Sequence, residues 1–89
     1  MTDAQILAIL KDDLLVSGTD LDALLNKFIE YAKGLIADEG ITLDTTNVRD
    51  GMLVEQYAAF LYRKRKEQNF VMPRSLRWAL NNRKFRPAE

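Results

Sequence analysis

The sequence predicts an all-α protein, a small bundle of about four helices with a flexible basic C-terminal tail. Three observations carry this. Apolar residues recur at three- and four-residue intervals in four separate stretches. The breaks between them fall on glycine, proline or short polar residues. The Val, Ile and Thr residues near 41–48 do not alternate over a useful length, so no strand is expected. At 89 residues the chain has room for one domain, placed at 1–82, with a basic tail at 83–89.

Thr2 and Gln5 have the spacing of a capping box, and Ile6, Leu7, Ile9, Leu10 and Leu14 continue at helical period, predicting a first helix over 3–14. Val16, Ser17 and Gly18 end it, glycine supplying the left-handed backbone. Thr19 is the expected N-cap of the second helix, with Asp20 and Asp22 in its first turn, where negative charge suits the free amides. Leu21, Leu24, Leu25, Phe28, Ile29, Ala32, Leu35 and Ile36 form the longest apolar stripe and set this helix at 20–38. Gly34 lies inside it, at a cost of about 0.5–1 kcal/mol relative to alanine. Gly40 reads as the C-cap, with Ile41 folding back on the last turn. A third helix is expected from Val48 to about Gln68, apolar in its first half and cationic at its end. Pro73 suits the first turn of a short fourth helix over 73–82, which buries Leu76, Ala79 and Leu80 and ends at Asn81 and Asn82.

Composition removes much chemistry. There is no cysteine and no histidine, so thiolate nucleophiles, disulfides and imidazole bases are absent. Ser17 and Ser75, the two serines, lie in no nucleophile elbow. The acid pairs Asp12–Asp13 and Asp38–Glu39 are sequence neighbours, which point in different directions on a helix, and are expected to be solvated helix-end acids. Asp44 and Asp50 lack calcium-loop spacing, and the isolated glycines form no phosphate loop. The expectation is a protein that is not an enzyme, needs no cofactor or metal, and does not enter a membrane. Its acidic start, Met1-Thr2-Asp3, does not resemble a signal peptide.

What remains is charge and exposed aromatic surface. Residues 1–47 carry three lysines and nine acids, 3 − 9 = −6, whereas 48–89 carry ten cations and four acids, 10 − 4 = +6. Within 63–86 there are nine cations and one glutamate. The run Arg63-Lys64-Arg65-Lys66 can neutralise phosphates or meet an acidic partner, but four successive residues wrap around a helix and do not form a one-faced reading surface. Arg74 and Arg77 precede Trp78, which either anchors an interface or lies down against the third helix and completes the core. Phe85 sits between the cations Arg83, Lys84 and Arg86 with no core pattern to absorb it. If the acidic part, with Asp20 and Asp22, meets the basic part of another copy, the contact is heterologous and builds rings or filaments.

The segment Met72-Pro73-Arg74-Ser75-Leu76-Arg77-Trp78-Ala79-Leu80-Asn81-Asn82-Arg83 resembles the C-terminal stretch of the small head–tail connector proteins of tailed bacteriophages, also called head-completion or DNA-packaging connector proteins. Asp20-Leu21-Asp22-Ala23-Leu24-Leu25 and Gly51-Met52-Leu53-Val54-Glu55-Gln56-Tyr57 resemble the family's two long helices. The opening Asp3-Ala4-Gln5-Ile6 departs from the "T-L-E-E-V-K" style start of many connectors, which leaves the branch open. The resemblance implies a ring-shaped homo-oligomer beneath the portal protein, bridging it to the next neck or tail-completion protein, with packaged DNA in the channel. It places the chain in the virion neck, and in the host cytoplasm during assembly. It offers no catalytic residues, and it makes 83–89 a candidate for insertion at the portal. The interface candidates are therefore Asp20, Asp22, Arg63, Arg65, Lys66, Arg74, Arg77, Trp78, Arg83, Phe85 and Arg86. The competing readings are a small nucleic-acid-binding helical protein using basic region 63–86, and a generic helical interaction module.

Overall fold

The computed structural model describes residues 1–65 and 71–85, and within them the chain forms four helices and no strand. Helix α1 spans Asp3–Leu14, α2 Asp22–Asp38, α3 Val48–Lys64 and α4 Arg74–Lys84. The capping box is present: the Thr2 hydroxyl accepts from the Gln5 amide, and the Gln5 side chain accepts from the Thr2 amide. Beyond the other end of α1, Gly18 takes the expected left-handed conformation (φ 78°), but the helix itself is closed three positions earlier by a left-handed Leu15 (φ 58°). The Leu15 and Val16 amides close on the Asp12 and Lys11 carbonyls, completing the hydrogen-bond pair that ends a helix.

Helix α2 begins at Asp22 rather than 20, and its N-cap, Leu21, makes no side-chain capping bond, so Thr19 does not serve that role. Its first-turn acid is held by α1 instead: Lys11 pairs with Asp22 at 2.8 Å and also donates to the Gly18 carbonyl. The C-terminus of α2 matches expectation. Gly40 takes φ 90°, its amide bonds the Ala37 carbonyl, and Ile41 reaches back to the Ile36 carbonyl and is buried.

Helix α3 is the axis of the molecule, with α1, α2 and α4 all packed on it. Its buried residues cover most of its circumference: Gly51, Leu53, Val54, Tyr57, Ala58, Ala59, Phe60 and Leu61, together with the charged Asp50 and Glu55, while Arg49, Gln56 and Arg63 form one exposed line. Ile6 and Leu10 of α1, Leu25, Ile29, Ala32 and Ile36 of α2, and Leu76 and Leu80 of α4 complete one core. Gly51 has a steric reason to be glycine, since a Cβ there would lie 2.6 Å from the Met1 sulfur and 2.8 Å from its Cβ. The thinnest extent, 18 Å, admits two layers of helices. No helix among the described residues is long and apolar enough to cross a membrane.

Three further expected boundaries move, the smallest being the start of α4, where Pro73 is the N-cap rather than the first helical residue. Helix α3 ends at Lys64, and residues 66–68, expected to extend it, lie outside the described residues. Helix α4 continues through Asn81 and Asn82 to Lys84, so Arg83 and Lys84 belong to the folded body and not to a tail beginning at 83. The physical reason is an ion pair. Arg83 donates from Nε and Nη2 to the two Asp50 oxygens at 2.6 and 3.0 Å, and from Nη2 to the Thr42 carbonyl at 2.7 Å.

Candidate functional site

The eleven candidate residues separate into three groups. Asp22, Arg63, Arg77 and Arg83 are engaged within the chain. Arg63 bonds both the carboxylate and the carbonyl of Asp13, at 3.0 and 3.2 Å, tying the end of α3 to the end of α1. Arg77 makes a two-pronged pair with Glu39, both bonds at 3.0 Å, joining α4 to the end of α2. That guanidinium holds Glu39 below the usual carboxylate range. Asp13 is exposed, as expected of a helix-end acid, but it is ion-paired, and Glu39 is both paired and partly buried.

Arg83 is the most deeply set of the four. Its side chain is 16% exposed and its partner Asp50 only 3%. Asp50 also accepts from the Asp44 amide at 2.8 Å, so one carboxylate fastens α3, α4 and the 41–45 loop. The position considered for a hard cation holds a guanidinium from the chain itself. Among the described residues no cluster of three potential metal ligands occurs.

Asp20, Arg65, Arg74, Trp78 and Phe85 remain at the surface. Arg65 lies over the Tyr62 ring, 3.9 Å from its centroid. The basic run at the end of α3 is thus divided, with Arg63 turned to α1 and Arg65 stacked on its own helix. Lys66 and Arg86 lie outside the described residues.

The open surface of α4 is unusual for its aromatic content. Trp78 is 70% exposed and Phe85 79%. They are seven residues apart, about two helical turns, so that Phe85, the C-cap just past the end of α4, follows Trp78 on the same side. Leu76 and Leu80 point the opposite way into the core, which settles the position of Trp78: it does not lie down against α3. Exposed Arg74 lies on the Trp78 side, and the Lys84 ammonium is 5.9 Å from the Phe85 ring. Helix α4 contains no acidic residue.

One cluster was missed in the sequence. Glu55 is buried at 3% exposure beside Asp13, whose carboxylate accepts from Arg63, and the buried Glu55 Oε2 has no hydrogen-bond partner among the described residues. Burial first, and then the neighbouring Asp13, push the Glu55 carboxyl up to about 8. The adjoining Glu55 carboxyl and then the Arg63 guanidinium hold Asp13 below its ordinary value. Burial beside the Asp13 charge thus favours the neutral form of the Glu55 carboxyl. The available signal was that Glu55 lies off the polar line of Arg49, Gln56 and Arg63, among the apolar positions of the helix.

Compared with known proteins, the chain matches no family model, no curated protein and no solved structure.

Proposed function

We propose that this chain is a structural adaptor, a head–tail connector subunit that assembles as a ring beneath a phage portal and joins the DNA-filled capsid to the neck or tail. The observation that carries the reading is the form taken by segment 72–83. The stretch with the family resemblance makes a helix anchored by Leu76, Leu80 and Arg83. Its outer side offers Trp78 and Arg74 to a partner, with Phe85 just beyond the end of the helix. An exposed tryptophan beside arginines is the composition of a binding hot spot. The opposite charges of the two halves of the chain favour register between subunits.

The nucleic-acid reading draws on the same cations, but Arg63, Arg77 and Arg83 are paired with Asp13, Glu39 and Asp50. Pairing reduces the charge available for phosphate neutralisation. The test is mass photometry and negative-stain imaging of the concentrated protein, alone and with a portal ring. Closed oligomers or portal-bound density are expected. A chain that neither self-associates nor binds portal, yet binds duplex DNA tightly, overturns the proposal.

A further inference from the structure

We infer that the outer face of α4 docks on the outer face of α2 of a second copy of this chain. The inference deepens the adaptor reading and rests on it for the self-association, while naming a contact that the reading leaves open.

The observations are two exposed apolar stripes of matching length and opposite charge. On α4 the stripe is Trp78 with Phe85, the C-cap just past its end, seven residues apart. On α2 it is Leu24 and Tyr31, 42% and 58% exposed and also seven apart. Seven residues advance a helix by about 10.5 Å and return a side chain to within roughly 20° of the same face. Two such stripes align when helices pack at a shallow angle, each apolar residue falling between those of its partner. Neither stripe is used in the core, which takes the opposite faces of both helices.

Charge sets which stripe meets which. The exposed charged residues along α2 and its entry are Asp20, Lys27, Glu30 and Asp38, giving 1 − 3 = −2. Those of α4 are Arg74 and Lys84, giving +2, with Arg77 already neutralised by Glu39. Two α4 faces repel one another, and an α4 face against an α2 face is complementary.

Gly34 supplies an independent observation. It lies one turn beyond Tyr31 on the exposed side of α2, and a Cβ added there would meet nothing within 4 Å. A glycine in a helix interior sacrifices stability, and no intramolecular packing here requires one. It leaves bare backbone beside Tyr31, a seat for a flat ring arriving from outside. Trp78 is the ring with the exposure to fill it. The occupant is therefore a second copy, with Trp78 of one chain entering beside Gly34 and Tyr31 of the other.

The test uses sedimentation of the full chain over a concentration series, with Trp78→Ala and Gly34→Arg as variants. Both positions are exposed, so folding is checked by circular dichroism and expected to persist. Association is expected in the unmodified chain, weakened about tenfold or more by either substitution. Because the chain has no cysteine, mixed Lys27→Cys and Asn81→Cys chains add a proximity readout without background. The mixed disulfide is expected in excess over either like pair. The inference is overturned if the unmodified chain is monomeric at about 1 mM, if neither substitution alters association, or if Trp78→Ala affects duplex binding alone. Rings that form despite both substitutions remove this contact and leave the adaptor reading standing. A closed pair that both substitutions dissolve supports the contact and removes the ring.

Discussion

Replacing Glu55 with glutamine separates a proton-dependent contribution to stability from everything else in the molecule. Glu55 lies at 3% exposure between α3 and α1, and its carboxyl is raised from 4.5 to about 8. In the unfolded chain the same group ionises near its ordinary value. Between those two values the folded protein holds a proton that the unfolded chain has released. Stability from this group is full below about pH 4.5 and is lost as pH rises toward 8, with a slope of about 1.4 kcal/mol per pH unit. From pH 5.5 to 7.5 the loss is about 2.5 kcal/mol, an upper figure because the helix ends can relax to admit water. Asp13, Glu39 and Asp44 act with the opposite sign. Their values are lowered, so their contributions are present above the ordinary carboxylate range and vanish only in acid. With no histidine or cysteine in the chain, the window from 5.5 to 7.5 reports Glu55 among the described side chains. Glu55→Gln removes the titration. Urea denaturation at half-unit pH steps is expected to show a falling midpoint for the unmodified chain and a flat one for the variant. A flat unmodified profile, or equal slopes for both proteins, refutes the reasoning. Carbon-detected titration of the Glu55 carboxyl provides a direct second check.

Four further substitutions probe the fold itself. Arg83→Ala leaves the buried Asp50 carboxylate without its guanidinium and is expected to destabilise by about 3–5 kcal/mol, read by thermal or urea unfolding. Leu15→Gly removes a left-handed leucine that is 93% exposed. The relieved strain exceeds the added chain entropy, so a gain of roughly 0.5–1 kcal/mol is expected in the same assay. Two glycines in helices have opposite outcomes. Gly34→Ala meets open space and is expected to raise the melting temperature by the equivalent of about 0.5–1 kcal/mol. Gly51→Ala drives a methyl group into Met1, whose amine is held by the Thr45 carbonyl at 2.7 Å, and is expected to lower it.

The four helices were legible because each follows from a local rule. The Thr2–Gln5 pairing, the apolar period of α2 and the Gly40–Ile41 ending are decided within a few residues, and α1 has the expected bounds. The end of α4 was misread because Asn81 and Asn82 are poor helix formers in isolation. The helix continues through them because Arg83 finds Asp50, 33 residues earlier. The candidate interface was legible in part. Trp78 and Phe85 stood out as large apolar residues among cations, and both are exposed. Arg63, Arg77 and Arg83 looked equally available, because a sequence does not reveal which acid each cation will meet.

By itself the sequence determined where the chain coils, through spacing and capping that act over one or two turns. It also determined that imidazole and thiol chemistry are absent, since those side chains are missing. Only the tertiary structure decided which charges remain exposed. Ion pairs such as Arg63–Asp13, Arg77–Glu39 and Arg83–Asp50 join residues 33 to 50 positions apart. Such pairings depend on how helices cross, and crossing is set by the whole packed core rather than by any local run of residues.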